Sequence, residues 1–147
     1  MSAVIESHHD DHHHGPAKGF SRWLYTTNHK DIGSLYLWFS FIMLFVGGAM
    51  AMVIRAELFE PGSQIVSPEF YNQMVTNHGL IMVFGVIMPA FVGLANWMIP
   101  MQIGAPDMAL PRLNNLSFWI LPAAIGVLLS TILMEGGAPK LGWTFYA

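Results

Sequence analysis

Apolar and polar positions alternate along this chain in long blocks. From Ile32 to Ile54 no Asp, Glu, Lys or Arg interrupts a run rich in Leu, Phe, Met and Val. About 20 such residues suffice to cross a bilayer as a helix. A second uncharged stretch runs from Tyr71 to Pro106, longer than one crossing needs, so its ends belong to interfacial or loop segments. A third, from Asn115 to Met134, stops before Glu135-Gly136-Gly137, where glycine can end a helix. The pattern predicts three transmembrane helices over about 32–54, 75–101 and 115–134, an all-α membrane protein. Residues 1–28 differ: they are polar, hold five histidines, and are expected to form a largely disordered tail preceding a membrane unit at 29–147.

Composition agrees. Hydrophobic residues make up 54% of the chain and charged ones 10%, against roughly a quarter charged in soluble domains. Mean hydropathy is +0.48. The net charge of -3 gives no footprint for nucleic acid. With no cysteine there are no disulfides or thiolate sites, so His and carboxylates are the strong ligands available. Lys18, Arg22, Lys30 and Arg112 fall on one side of the predicted helices and Arg55 and Lys140 on the other. The positive-inside rule therefore places the N-terminus inside. Trp97, Trp119 and Trp143 lie near helix ends, where interfacial indoles are common. The final Gly-Trp-Thr-Phe-Tyr-Ala has no polar finish, and the chain is expected to be incomplete.

Few residues need a reason beyond crossing lipid. His78 lies within the second span, where an imidazole is costly unless it pairs, lines water or binds a metal. On an ideal helix Asn96, 18 positions on, shares its face, and Gly85 and Pro89 lie close to the same line. Small residues beside a histidine leave room for a planar macrocycle, and imidazole is a usual axial ligand of heme iron. The alternative is an ordinary helix-packing face. Arg55 ends the first span on the same side, either reaching a polar edge of what His78 binds or snorkelling to the interface. Glu57 either neutralises it, offers oxygen to a hard cation, or is a solvated loop carboxylate. At the opposite end Asp107 lies between Asn96 and the pair Asn114 and Asn115. Side-chain amides can order water and a carboxylate can collect protons, yet Pro106 and Pro111 make a turn with Asp107 and Asn114 as helix caps the simpler account.

Certain strings carry a resemblance. Thr-Thr-Asn-His-Lys-Asp-Ile-Gly at 26–33, Ile-Arg-Ala-Glu-Leu-Phe-Glu-Pro-Gly at 54–62, Asn-His-Gly-Leu-Ile-Met-Val-Phe at 77–84, Ile-Gly-Ala-Pro-Asp-Met-Ala-Leu-Pro-Arg-Leu-Asn-Asn at 103–115 and Gly-Trp-Thr-Phe-Tyr at 142–146 occur in one order. In this the chain resembles subunit I of heme-copper cytochrome c oxidase. The resemblance implies the first three helices of a bundle of about a dozen. It implies that His78 is an axial ligand of the low-spin heme, a-type, with Arg55 bonded to a peripheral substituent. It makes Asp107 the entrance of the D proton pathway, with Asn96 and Asn114 ordering its first waters, against the turn reading. Tyr71 matches a tyrosine near the low-spin heme, and Trp143 one that bonds a propionate of the high-spin heme. Glu57 and Gly62 match a calcium or sodium site.

The second axial histidine, the copper ligands and the high-spin heme ligand of that family belong to later helices, so this segment alone is not expected to be active. The complete subunit is expected, with subunits II and III, to pass electrons from cytochrome c to oxygen, making water and pumping protons. A quinol oxidase subunit I and a non-catalytic membrane fragment are the alternatives. A bacterial cytoplasmic membrane fits the His-rich extension better than a mitochondrial one. In one departure, Pro89 to Trp97 is a residue shorter than in mitochondrial members, which weakens the common phase of His78 and Asn96.

Overall fold

A computed structural model describes residues 19–146. Its elements are α1 (Phe20–Tyr25), α2 (His29–Glu57), α3 (Pro68–Leu80), a π-helical segment (Ile81–Ile87), α4 (Met88–Ile103), α5 (Pro111–Ser130) and a closing 3₁₀ turn (Thr131–Leu133). Among the described residues there is no strand. Three spans are long and apolar enough to cross a membrane: His29–Glu57, the continuous run Pro68–Ile103, and Pro111–Leu133. Residues 1–18, which hold five of the seven histidines, lie outside the described residues.

The spans reach beyond the expected boundaries because local chemistry sets their ends. Asn28 caps α2 by accepting the Lys30 N–H at 2.8 Å. Ser67 caps α3 by accepting from Phe70, followed by Pro68 in the first turn. Pro111 opens α5, where its missing N–H costs nothing. Asn114 is therefore a turn inside α5 and is not its cap. The third span also ends earlier than expected, its last turn tightening at Thr131–Leu133 before Gly136 and Gly137 adopt positive φ. Within the 1–28 stretch, Phe20–Tyr25 is helical. Arg22 there pairs with Asp31 of α2 at 2.8 Å, a bond that holds the guanidinium above its ordinary pKa.

The second span contains the main irregularity. Pro89 cannot donate a hydrogen bond, and its ring collides with the carbonyl four residues earlier. The chain responds upstream by widening: Met88 N–H donates to Val83 O, five residues back, and Ile81–Ile87 is π-helical. Ser40 of α2 donates its hydroxyl to Val86 O at 2.8 Å, serving a carbonyl in the loosened stretch.

α2 is the central element, packing against α3, the π segment, α4 and α5. Small residues permit this. A Cβ on Gly33 would sit 2.9 Å from Gly93 O and 2.6 Å from Trp97 Cδ1, and one on Gly93 would sit 3.0 Å from Gly33 O. Close backbone approach of this kind drives association where lipid removes the hydrophobic force. Met43, Met50, Met74, Ile81 and Ile125 form one buried cluster, and Ile32, Tyr36 and Phe118 a second. Tyr36 and Phe118 meet edge to face at 5.1 Å.

Candidate functional site

Two polar constellations lie along α2. At its N-terminal end, Asp107, in the loop after α4, turns one carboxylate oxygen to the start of the helix. Asp107 Oδ1 accepts the His29 backbone N–H at 3.1 Å, His29 Nδ1–H at 3.0 Å and its neighbour Met108 N–H at 2.7 Å. A carboxylate at a helix N-terminus is also favoured by the helix dipole. Its side chain is 36% exposed, whereas His29 is buried, with Nε2 lacking a hydrogen-bond partner among the described residues. Asp107 thus pairs one oxygen inward and has no hydrogen bond to the other among the described residues.

Deeper in the bundle Asn114 Nδ2 donates to Asn96 Oδ1 at 2.6 Å, and Asn96 Nδ2 donates to Val92 O at 2.9 Å. Ser117 spends its single O–H on Asn114 O at 2.7 Å, so at 2.9 Å Tyr36 must be the donor to Ser117. His29 and Tyr36 are seven residues apart, on one face of α2 and separated by about 10 Å of rise. Two polar groups thus lie on this side of the molecule: the half-exposed Asp107 with His29, and Asn96, Asn114, Ser117 and Tyr36 joining α4, α5 and α2. Sequence reasoning placed Asp107, Asn96 and Asn114 here but missed His29, Tyr36 and Ser117. The i, i+7 spacing of His29 and Tyr36 was the available signal.

In the second half of α2, ten residues before its end, Gly47 O lies 2.9 Å from His78 Nδ1. A carbonyl only accepts, so Nδ1 carries the proton, and neutral His78 has a bare Nε2 lone pair. Nε2 makes no hydrogen bond among the described residues. Metal-bound histidines almost always donate their other nitrogen in this way. His78 therefore fits an axial ligand of heme iron. Trp143 packs over the neighbouring Gly79, its Cβ 2.9 Å from where a Gly79 Cβ would be. Arg55 is exposed near the end of α2, without a hydrogen bond or ion pair among the described residues.

The expected common face of His78, Gly85, Pro89 and Asn96 does not form an open slot. Met43 of α2 lies against Gly85, with its Cγ 3.3 Å from a Cβ position there, and Pro89 and Asn96 are buried. The π turns between His78 and Asn96 also break the regular phase on which that alignment relied. Gly85 and Pro89 thus serve helix packing.

Tyr71 lies beside Glu57 and Gly62 around an outer cleft, two turns before His78. Glu57 is buried, and its carboxylate accepts three backbone N–H groups: Gln64 on Oε1 at 2.8 Å, and Ile65 and Val66 on Oε2 at 2.9 and 3.0 Å. Three of its four lone-pair positions are filled, and Glu57 acts here as a loop anchor. Among the described residues there is no group of three His, Cys, Asp or Glu that could hold a metal ion. A calcium or sodium site at Glu57 and Gly62 would need further oxygen ligands, from backbone carbonyls or from outside this segment. The residues present do not fit a copper site, since His29 and His78 are the two histidines of this region, and His29 is engaged by Asp107.

The fold and these constellations define a multi-span helical chain with a histidine hydrogen-bonded to backbone within the bundle and a carboxylate tied to the start of α2. Residues 31–147 match the family described as Cytochrome C and Quinol oxidase polypeptide I. The chain belongs to that family, subunit I of the heme-copper oxidases. It is 48% identical over 134 residues to cytochrome c oxidase subunit 1 of Corynebacterium diphtheriae, covering 90% of this chain and 24% of that protein. It is 46% identical over 132 residues to the probable cytochrome c oxidase subunit 1-alpha of Streptomyces avermitilis, covering 90% and 23%. It is also 47% identical over 126 residues to heme-copper oxidase subunit I+III of Aeropyrum pernix, covering 86% and 16%. The chain thus spans about a quarter or less of the length of these relatives.

Proposed function

We propose that this chain is the N-terminal part of the catalytic subunit of a proton-pumping terminal oxidase that takes electrons from cytochrome c and reduces oxygen to water. The observation that carries the reading is the His78–Gly47 hydrogen bond, which fixes the imidazole tautomer with Nε2 available to iron. When bound, a low-spin a-type heme supplies one-electron redox chemistry. His78 holds it and, through the bond to Gly47 O, becomes a more basic ligand. Arg55 reaches a polar edge of the ring with donors not used elsewhere in the described segment, Tyr71 lies on the flank of the same helix as His78, and Trp143 sits beside the His78 turn. Asp107 takes protons from the inner aqueous phase, and Asn96 and Asn114 orient the water that follows. The high-spin heme and copper are held by the remainder of subunit I, with subunits II and III as partners. The Lys and Arg asymmetry supports an N-terminus inside, and the His-rich extension a bacterial cytoplasmic membrane.

The test uses the full-length oxidase. His78→Leu is expected to abolish the low-spin heme band in the reduced-minus-oxidised spectrum, while His29→Leu leaves it. A normal low-spin band in the His78 variant removes the assignment. Comparing turnover with reduced cytochrome c and with a quinol decides between the two donors that the family description includes.

A further inference from the structure

After the 3₁₀ turn, residues 137–143 lie against one side of α3 through four contacts. Lys140 Nζ reaches Glu69 at 3.1 Å, Gly137 lies against the Gln73 side chain, Gly142 meets Thr76, and Trp143 covers Gly79. The third contact is the informative one. Thr76 is fully buried, and its hydroxyl proton is spent on Asn72 O at 2.8 Å. A hydroxyl has a single proton, so this bond orients the remaining lone pairs of Oγ1, and one of them accepts the Gly142 N–H at 3.0 Å. Gly142 has φ of +73°, a conformation suited to glycine, with the Tyr146 ring occupying the place of a side chain. The next residue is Trp143. Its Cβ rests where Gly79 has none, one position along the helix from His78.

We infer that Thr76 is a positioning residue for Trp143: its hydroxyl fixes the Gly142 peptide so that the indole stays seated on the helical turn that bears His78. The role of Trp143 at a heme rests on the function proposed above, whereas the Thr76–Gly142 anchor does not. Two readouts in the full-length oxidase separate them. Valine has nearly the shape of threonine but no acceptor, so Thr76→Val leaves the Gly142 N–H buried and unpaired. Amide hydrogen exchange across residues 140–146 is expected to quicken about fivefold, the factor that corresponds to one net hydrogen bond, and to return to the wild-type rate in Thr76→Ser. Unchanged exchange in Thr76→Val overturns the inference, whatever the spectra show. Thr76→Cys, with a weaker sulfur acceptor, is read in the same way if the valine variant does not assemble.

The second readout is optical. Trp143→Phe and Thr76→Val are each expected to shift the heme bands in the same direction, and the double variant no further than Trp143→Phe alone. Faster exchange in Thr76→Val with unmoved bands in Trp143→Phe supports the anchor and removes the indole from the heme. Moved bands in Trp143→Phe, with exchange and bands both unmoved in Thr76→Val, overturn the anchor and leave the heme reading standing.

Discussion

Three donors converge on one oxygen of Asp107, and two of them belong to His29. That concentration gives the carboxylate two jobs, ending a helix and meeting water. Asp107→Asn retains an amide oxygen for these donors but removes the charge that favours the helix start, worth about 0.3–1 kcal/mol. The fold is therefore expected to survive. Turnover and proton pumping by the full-length enzyme are expected to fall sharply while the heme bands stay normal; unchanged pumping in reconstituted vesicles would count against Asp107 as the entrance. At this scale the sequence was informative where a residue type is costly in a membrane, as for His78 and Asp107. It was uninformative where a role depends on a partner far away in the chain. His29 falls in a recognisable string and Tyr36 within an apolar run, and nothing local marks their roles, because Asp107 and Ser117 lie 78 and 81 residues further on.

Elements follow the same division. Uncharged runs reveal that helices exist, since the bilayer demands internally bonded backbone. They do not reveal where helices end, because the caps Asn28, Ser67 and Leu110 lie among polar or turn-forming neighbours. Nor does periodicity disclose the π segment, whose cause, Pro89, is a residue type common in membrane helices. The pairing of α2 with α4 can be probed at Gly33. A methyl group there would approach Gly93 O to 2.9 Å, backbone that cannot rotate away. Gly33→Ala is expected to push the helices apart and to destabilise the unit by about 1–3 kcal/mol, the usual cost of overpacking. Thermal denaturation of the detergent-solubilised oxidase measures it, with Gly48→Ala as the control because a Cβ at Gly48 meets nothing within 4 Å.

For the molecule as a whole, topology is the testable quantity. The loop tied down by Glu57 and the loop carrying Asp107 must lie on opposite faces of the membrane if Pro68–Ile103 crosses it once. This segment has no cysteine, so introduced thiols report without background from it. Ser63→Cys is expected to react with an impermeant maleimide added outside intact cells, and Ala109→Cys only after permeabilisation. The reverse pattern would invert the proton route proposed for Asp107. Large side chains such as Trp38, Phe45 and Phe91 remain exposed along the spans, as expected for surfaces meeting lipid or other helices.

The wide turns before Pro89 also bear on how such a helix tolerates change. A π-bulge carries one residue more than the same rise of α-helix requires. The second span is accordingly indexed twice, once by His78 against Gly47 and once by Gly93 against Gly33, with slack stored between the two registrations. Removing a single residue from Ile81–Ile87 and replacing Pro89, so that its ring no longer meets the carbonyl four residues earlier, is expected to take up that slack and leave both registrations in place. The half that bears His78 and the half that bears Asn96 can therefore vary in their separation along the chain while each keeps its seat on α2.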